Sequence, residues 1–208
     1  DRNVAIGNGA LAAQNNTSNL DVYNVAMGYN AGNDITTGVR NTLIGGLAGD
    51  ALNTGNFNVA IGYQTLSTED AGNYNTAIGY KALSVQDAGD AYNTAVGFQA
   101  GEAVTTGIKN TLVGGTAGDA LTTGSENVVI GYGALGLEDT GGRNVAIGYN
   151  SLMALNYDGF AYTTAVGYGA GSGITTGLYN TILGARAGIG LTTGGENVAV
   201  GFESLMTE

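Results

Sequence analysis

The phrase Asn-Thr-Ala-Ile-Gly-Tyr at Asn75 to Tyr80 recurs with small variations along the whole chain, in twelve copies. The copies begin at Asn3, Asn24, Asn41, Asn58, Asn75, Asn93, Asn110, Asn127, Asn144, Thr163, Asn180 and Asn197. Most starts are 17 residues apart, with single longer steps of 21, 18 and 19. A short fixed period predicts a stack of like coils, each touching only its neighbours, in place of a globule with a central core. The repeat covers residues 1–208, so the chain is read as a single array.

Numbering each coil from its Asn exposes the design. Position five is glycine in every copy: Gly7, Gly28, Gly45, Gly62, Gly79, Gly97, Gly114, Gly131, Gly148, Gly167, Gly184 and Gly201. An invariant internal glycine implies a positive φ or a backbone approached too closely for a side chain. Positions two and four are Thr or Val and then an aliphatic residue, whereas one, three and five are usually Asn, Ala and Gly. That alternation predicts a short strand with a bulky face and a small face. The bulky face is expected to fill the coil, and the small face to admit a second backbone or chain.

After an aromatic at position six and a small residue at eight, Thr-Thr-Gly or Asn-Thr-Gly marks a turn at Gly38, Gly55, Gly107, Gly124, Gly177 and Gly194. A coil therefore reads strand, corner, short second strand, turn and return. Twelve coils stacked ~4.8 Å apart would form a rod roughly 55–60 Å long, with the position-one Asn side chains paired along it. The expected fold class is all-β: a parallel β-solenoid or β-roll of either hand.

A second period of four coils overlies the first. The coils at Asn24, Asn93 and Thr163 match best, 69 and 70 residues apart. A second class, at Asn41, Asn110 and Asn180, carries Leu43, Leu112 and Ile182 where most have Ala. It also has Gly46, Gly115 and Ala185 where most have Tyr or Phe, which suggests volume exchange between two layers. The longer corners of the remaining classes carry Glu69, Asp70, Asp87, Glu138 and Asp139, read as solvated loop acids.

Composition narrows the function classes. The net charge is −11, from 6 basic and 17 acidic residues, which opposes binding to phosphate backbones or anionic lipid. Only 11% of residues are charged and 43% are hydrophobic, so the chain is expected to fold. Without His or Cys, the usual serine and cysteine triads are unavailable, and adjacent corner acids such as Glu69 and Asp70 are badly placed as opposed carboxylates. No enzyme activity, cofactor or metal is expected. A Ca²⁺ site among the corner acids, Asp50 and Asp119 remains open without a convincing ligand set. The glycines of "IGGLAG" at Ile44 to Gly49 read as packing, since no helix or suitable Lys follows. A flat ice-binding plane of Thr36, Thr54, Thr105, Thr122, Thr175 and Thr192 is interrupted in two coil classes.

The candidate ligand-contact residues are the aromatic row Tyr29, Tyr63, Tyr80, Phe98, Tyr132, Tyr149, Tyr168 and Phe202. Exposed, the row would offer a sugar- or protein-binding stripe. The alternative is that the rings stack on one another and seal the rod, which is the expected arrangement.

The residues NTAIGYKAL at Asn75, NVAIGYQTL at Asn58 and NTAVGFQAG at Asn93 resemble the repeats of bacteriophage tail-fibre shafts and related virion adhesins. More loosely, they are similar to the head repeats of trimeric autotransporter adhesins. The resemblance implies a homotrimer, a structural shaft that presents a receptor-binding tip, and a virion or extracellular location. A cell-surface glycan or protein receptor is the implied partner, with neither nucleic acid nor membrane insertion expected. No tip domain, chaperone-like domain or coiled-coil neck is visible, and neither Asp1-Arg2-Asn3 nor the run from Phe202 to Glu208 reads as a cap. The chain is accordingly expected to be a processed product or a piece of something longer. Two further readings stay open: a single-chain solenoid that polymerises end to end, and a glycan-binding fibre head using the aromatic row.

Overall fold

The computed structural model describes residues 2–15 and 21–206. Asp1 and residues 207–208, at the two termini read above as uncapped, lie outside the described residues.

The chain forms a β-solenoid built on one parallel sheet of twelve three-residue strands, hydrogen-bonded in chain order. The strands are β1 (Val4–Ile6), β2 (Val25–Met27), β3 (Thr42–Ile44), β4 (Val59–Ile61), β5 (Thr76–Ile78) and β6 (Thr94–Val96). They continue as β7 (Thr111–Val113), β8 (Val128–Ile130), β9 (Val145–Ile147), β10 (Thr164–Val166), β11 (Thr181–Leu183) and β12 (Val198–Val200). Register survives the longer steps: Thr76 lies opposite Thr94, and Val145 opposite Thr164. The extra residues are absorbed in corners, leaving the strands aligned.

The faces are the reverse of the expectation. Position three points inward: Ala26, Ala60, Ala77, Ala95 and Ala146, with Leu43 and Leu112, are fully buried. The bulkier residues at two and four point out, so Ile6, Met27 and Leu183 are 52%, 42% and 48% exposed. The reason is the narrowness of a 17-residue coil. Its interior also receives Leu66 and Leu83 from position nine and Leu52 and Leu121 from position twelve, all sealed from solvent. Each such burial contributes about 1.5–3 kcal/mol, and Ala at position three leaves the room for it. Where position three is Leu43, position nine is glycine in the same coil (Gly49) and in the preceding one (Gly32). A Cβ on Gly32 or Gly49 would lie 2.6 or 2.9 Å from a Leu43 methyl. The large residues of the second coil class are thus matched by these inner glycines, and not by Gly46 on the outside.

The expected short second strand does not form. Positions seven and nine turn through left-handed φ, as at Lys81 (55°) and Leu83 (49°), which a strand does not contain. Their N–H groups still bond between coils, from Lys81 to Tyr63 and from Leu83 to Ala100.

Position five explains its own invariance. Gly97 has φ +147°, and a Cβ there would drive into the carbonyl oxygen of Gly114 in the next coil. The other position-five glycines up to Gly184 meet the following one in the same way.

The Asn ladder is real but is wired through the backbone. Asn24 Oδ1 accepts the N–H of Asn41 at 2.8 Å, Asn41 Oδ1 that of Asn58 at 2.9 Å, and so on along the rod. The amide nitrogen turns across the coil instead, donating to the turn glycine carbonyl, as from Asn41 to Gly55 at 2.8 Å. Amide-to-amide bonds are the lesser part, at 3.2 Å from Asn58 to Asn41 and from Asn127 to Asn110.

Candidate functional site

Three features of the surface and corners have the chemistry to do something. The first is the outer face of the sheet. Its two columns are Val or Thr at position two and Ile, Val, Met or Leu at position four in all twelve strands, without one charged residue. Single exposed aliphatics are ordinary on protein surfaces, but a contiguous apolar face is not.

The second is the aromatic row at position six. Tyr63, Tyr80 and Phe98 stack with centroids 5.9 and 5.2 Å apart, and Tyr132, Tyr149 and Tyr168 with 5.8 and 5.1 Å. The rings therefore contact each other but do not seal the rod, because the row stands outside the coil. All eight are exposed, from 42% at Tyr80 to 71% at Phe202. The glycines of position five lie directly before them and hold adjacent coils close enough for the stacking. Within a run each ring spends its faces on its neighbours, so only rings at a break in the row present a free face.

A parallel row was missed from the sequence. It stands at the residue just before each Asn, where Tyr23, Phe57, Tyr74, Tyr92, Tyr162 and Tyr179 all have left-handed φ between 51° and 63°. Phe57, Tyr74 and Tyr92 stack at 5.3 and 4.9 Å. Cations continue the row: Arg40 lies 5.2 Å from the Phe57 ring centre, and Arg143 lies 5.4 Å from that of Tyr162. The signal was present in the sequence at the same spacing, hidden by counting each repeat from the residue after it.

The third is a pair of buried acids. Glu69 and Glu138, read as solvated, are fully buried, because position twelve points into the coil. Glu69 Oε2 accepts from Gln86 Nε2 at 3.0 Å and from the Ala88 N–H at 3.4 Å. Glu138 accepts the N–H groups of Gly141 at 2.7 Å and Tyr157 at 3.1 Å. Burial pushes both carboxyls above their usual range, opposed by these hydrogen bonds. Glu69 Oε1 and the nearby amide nitrogen of Asn75 lack partners, as does the equivalent amide of Asn144. Both acids are out of reach of any substrate. Asp70 and Asp87, by contrast, are exposed.

Among the described residues no three acidic side chains converge in a way that could hold a metal ion, and no helix is long and apolar enough to cross a membrane. Four of the six threonine hydroxyls considered for an ice plane are engaged along the rod, those of Thr36, Thr105, Thr122 and Thr175: Thr105 donates to the Thr122 carbonyl and Thr122 to that of Asp139, each at 3.1 Å.

No family model matches the chain, and neither a curated protein nor a solved structure matches it. Function must be argued from the surfaces themselves.

Proposed function

We propose that this chain is a structural fibre segment, a stiff rod that associates as a homotrimer through the outer face of its sheet and serves attachment at a virion or cell surface. The observation that carries this reading is the uncharged face running through all twelve strands, an unbroken aliphatic column at position four beside Val or Thr at position two. At ~4.8 Å per strand the face is about 50 Å long, and at about 15 Å wide it offers on the order of 750 Å². A stable interface uses about 800 Å² per partner, so the face supplies one such contact, and the aromatic rows that flank it would complete the second contact a trimer needs. The acids that give the chain its charge of −11 lie outside the strands, so the faces can meet with little like-charge repulsion. The role is mechanical: in-register ladders and glycine-tight coil spacing make each coil brace the next.

Light scattering after size exclusion, over a concentration series, tests this. A fixed mass near three chains is expected. Ile61→Lys with Ile130→Lys should reduce it to one chain without unfolding, since both side chains already point outward. A mass that climbs with concentration replaces the trimer with end-to-end growth, and a stable wild-type monomer removes self-association altogether.

A further inference from the structure

The position-six row has breaks that the fold does not require. Gly46, Gly115 and Ala185 stand where eight other coils carry Tyr or Phe. Neither glycine has a positive φ, so the backbone does not demand one. A Cβ at Gly46 would meet the Tyr63 ring at 3.4 Å and one at Gly115 that of Tyr132 at 3.2 Å, so each exposed ring would swing aside by a few tenths of an ångström, while no backbone atom stands in the way. The bulk of Leu43 inside the same coil is received by Gly32 and Gly49, so the interior gives no reason either. A ring at these places would stack on both sides, as Tyr80 and Tyr149 do in their runs. Its absence recurs at intervals of 69 and 70 residues.

Each omission leaves a slot one rung wide. Tyr29 and Tyr63 wall the first, two coils apart, which is about 9.6 Å at ~4.8 Å per coil. Phe98 and Tyr132 wall the second, Tyr168 and Phe202 the third. Exposure records the free faces. Tyr80 and Tyr149, with rings on both sides, are 42% and 46% exposed; at slot edges Phe98, Tyr132 and Tyr168 are 55%, 58% and 59% exposed, whereas Tyr63 is 48%.

We infer that each slot binds one pyranose ring of a neutral oligosaccharide, held between two aromatic faces. Carbon contacts of about 3.5–4.0 Å on each side use about 7–8 Å of the gap. What is left suits a puckered chair better than a flat aromatic ring. The C–H groups of a sugar face suit the electron-rich ring faces, and the phenol hydroxyls offer partners for its rim. The half-buried amides of Asn30 and Gln64 follow the walls of the first slot, and Gln99 flanks the second. A net charge of −11 disfavours acidic sugars. Beside the third slot a shallow hollow of ≈ 170 Å³, lined by Tyr149, Tyr168 and Arg186 among others, gives a longer glycan somewhere to continue. The slots repeat every four coils, about 19 Å apart, so one chain can engage a polymer more than once. This binding does not depend on the trimer proposed above.

The test is to probe the intact chain with an array of neutral glycans that includes cello- and malto-oligosaccharides, then to titrate the best binder calorimetrically. The triple variant Gly46→Tyr, Gly115→Tyr, Ala185→Tyr completes the row without removing any ring. It should keep the wild-type circular-dichroism spectrum and bind at least tenfold more weakly. Tyr80→Gly opens a new slot at an interior rung and should raise the number of sugars bound per chain. Retention of no neutral glycan, or undiminished binding by the completed row, overturns the inference. So does a completed row that alters only the molar mass, which would make the slots contacts between chains. A monomeric wild type that still binds sugar would leave this inference standing while the trimer falls.

Discussion

The coils that begin at Asn110 and Asn127 lie one on the other and use the same inward position in opposite ways. In the first, position twelve is Leu121, packed against the flank of the coil where Gly118 and Gly124 leave it space. In the second it is Glu138, equally buried. The difference lies in the next coil along. Glu138 takes a hydrogen bond from Tyr157 and Glu69 takes one from Ala88, and both donors belong to the enlarged corners, where the steps are 19 and 18 residues. A regular 17-residue corner offers the acid no such donor; a lengthened one does. Inserted residue and buried acid come as a pair, each supplying what would leave the other unsatisfied.

Moving the acid to a regular coil has the largest expected effect. Leu121→Glu places a carboxylate at the same depth without a lengthened corner above it, and should cost more than about 3 kcal/mol in urea denaturation at pH 7. A loss under 1 kcal/mol would show that the extra residue is not what makes the acid tolerable. The reverse exchange, Glu138→Leu, removes the desolvated charge but orphans the N–H groups of Gly141 and Tyr157, at about 1–3 kcal/mol each. A net loss of about 2 kcal/mol is expected; a gain would make the acid a liability held for some other purpose.

Both glutamates have folded-state pKa values raised above the ordinary 4.5, chiefly by burial. The folded chain therefore holds these protons more tightly than the unfolded one. Their contribution is fully present below about pH 4.5 and is lost as pH rises through the folded value. Glu69→Gln keeps an acceptor for Gln86 and Ala88 and cannot ionise. Its stability should fall less than that of wild type between pH 4 and 7, with the two nearly equal at pH 4. Identical slopes would remove Glu69 as a source of the pH dependence.

Much of this fold was legible in the repeat. A residue that is glycine in every copy announced the tight contact at Gly97, and the Thr-Gly pairs announced turns. What misled was the rule that bulk goes inside. In a coil this narrow Ala77 and Leu83 share one interior, and only the whole cross-section decides which is large. The seven aliphatics from Ile35 to Leu191 at position twelve carried that information, because their spacing matches the strands' own. Glu69 and Glu138 fall on the same count, yet next to Asp70 and Asp139 they looked like surface. The slots at Gly46 and Gly115 were visible as missing aromatics, but only the inner partners of Leu43 and Leu112 removed the packing explanation for them.

Thr163 is the one departure in the column that otherwise begins each coil with Asn. Its single O–H is shared at 3.4 Å between the carbonyl oxygens of Ala161 and Gly177, and its oxygen does not accept the N–H of Asn180 as an Asn Oδ1 accepts the next N–H elsewhere in the column. In a molecule whose coils hold only their neighbours, a weak link is not averaged away by the rest. Pulled from its ends, such a rod has a designated place to part, with ten strands on one side and two on the other.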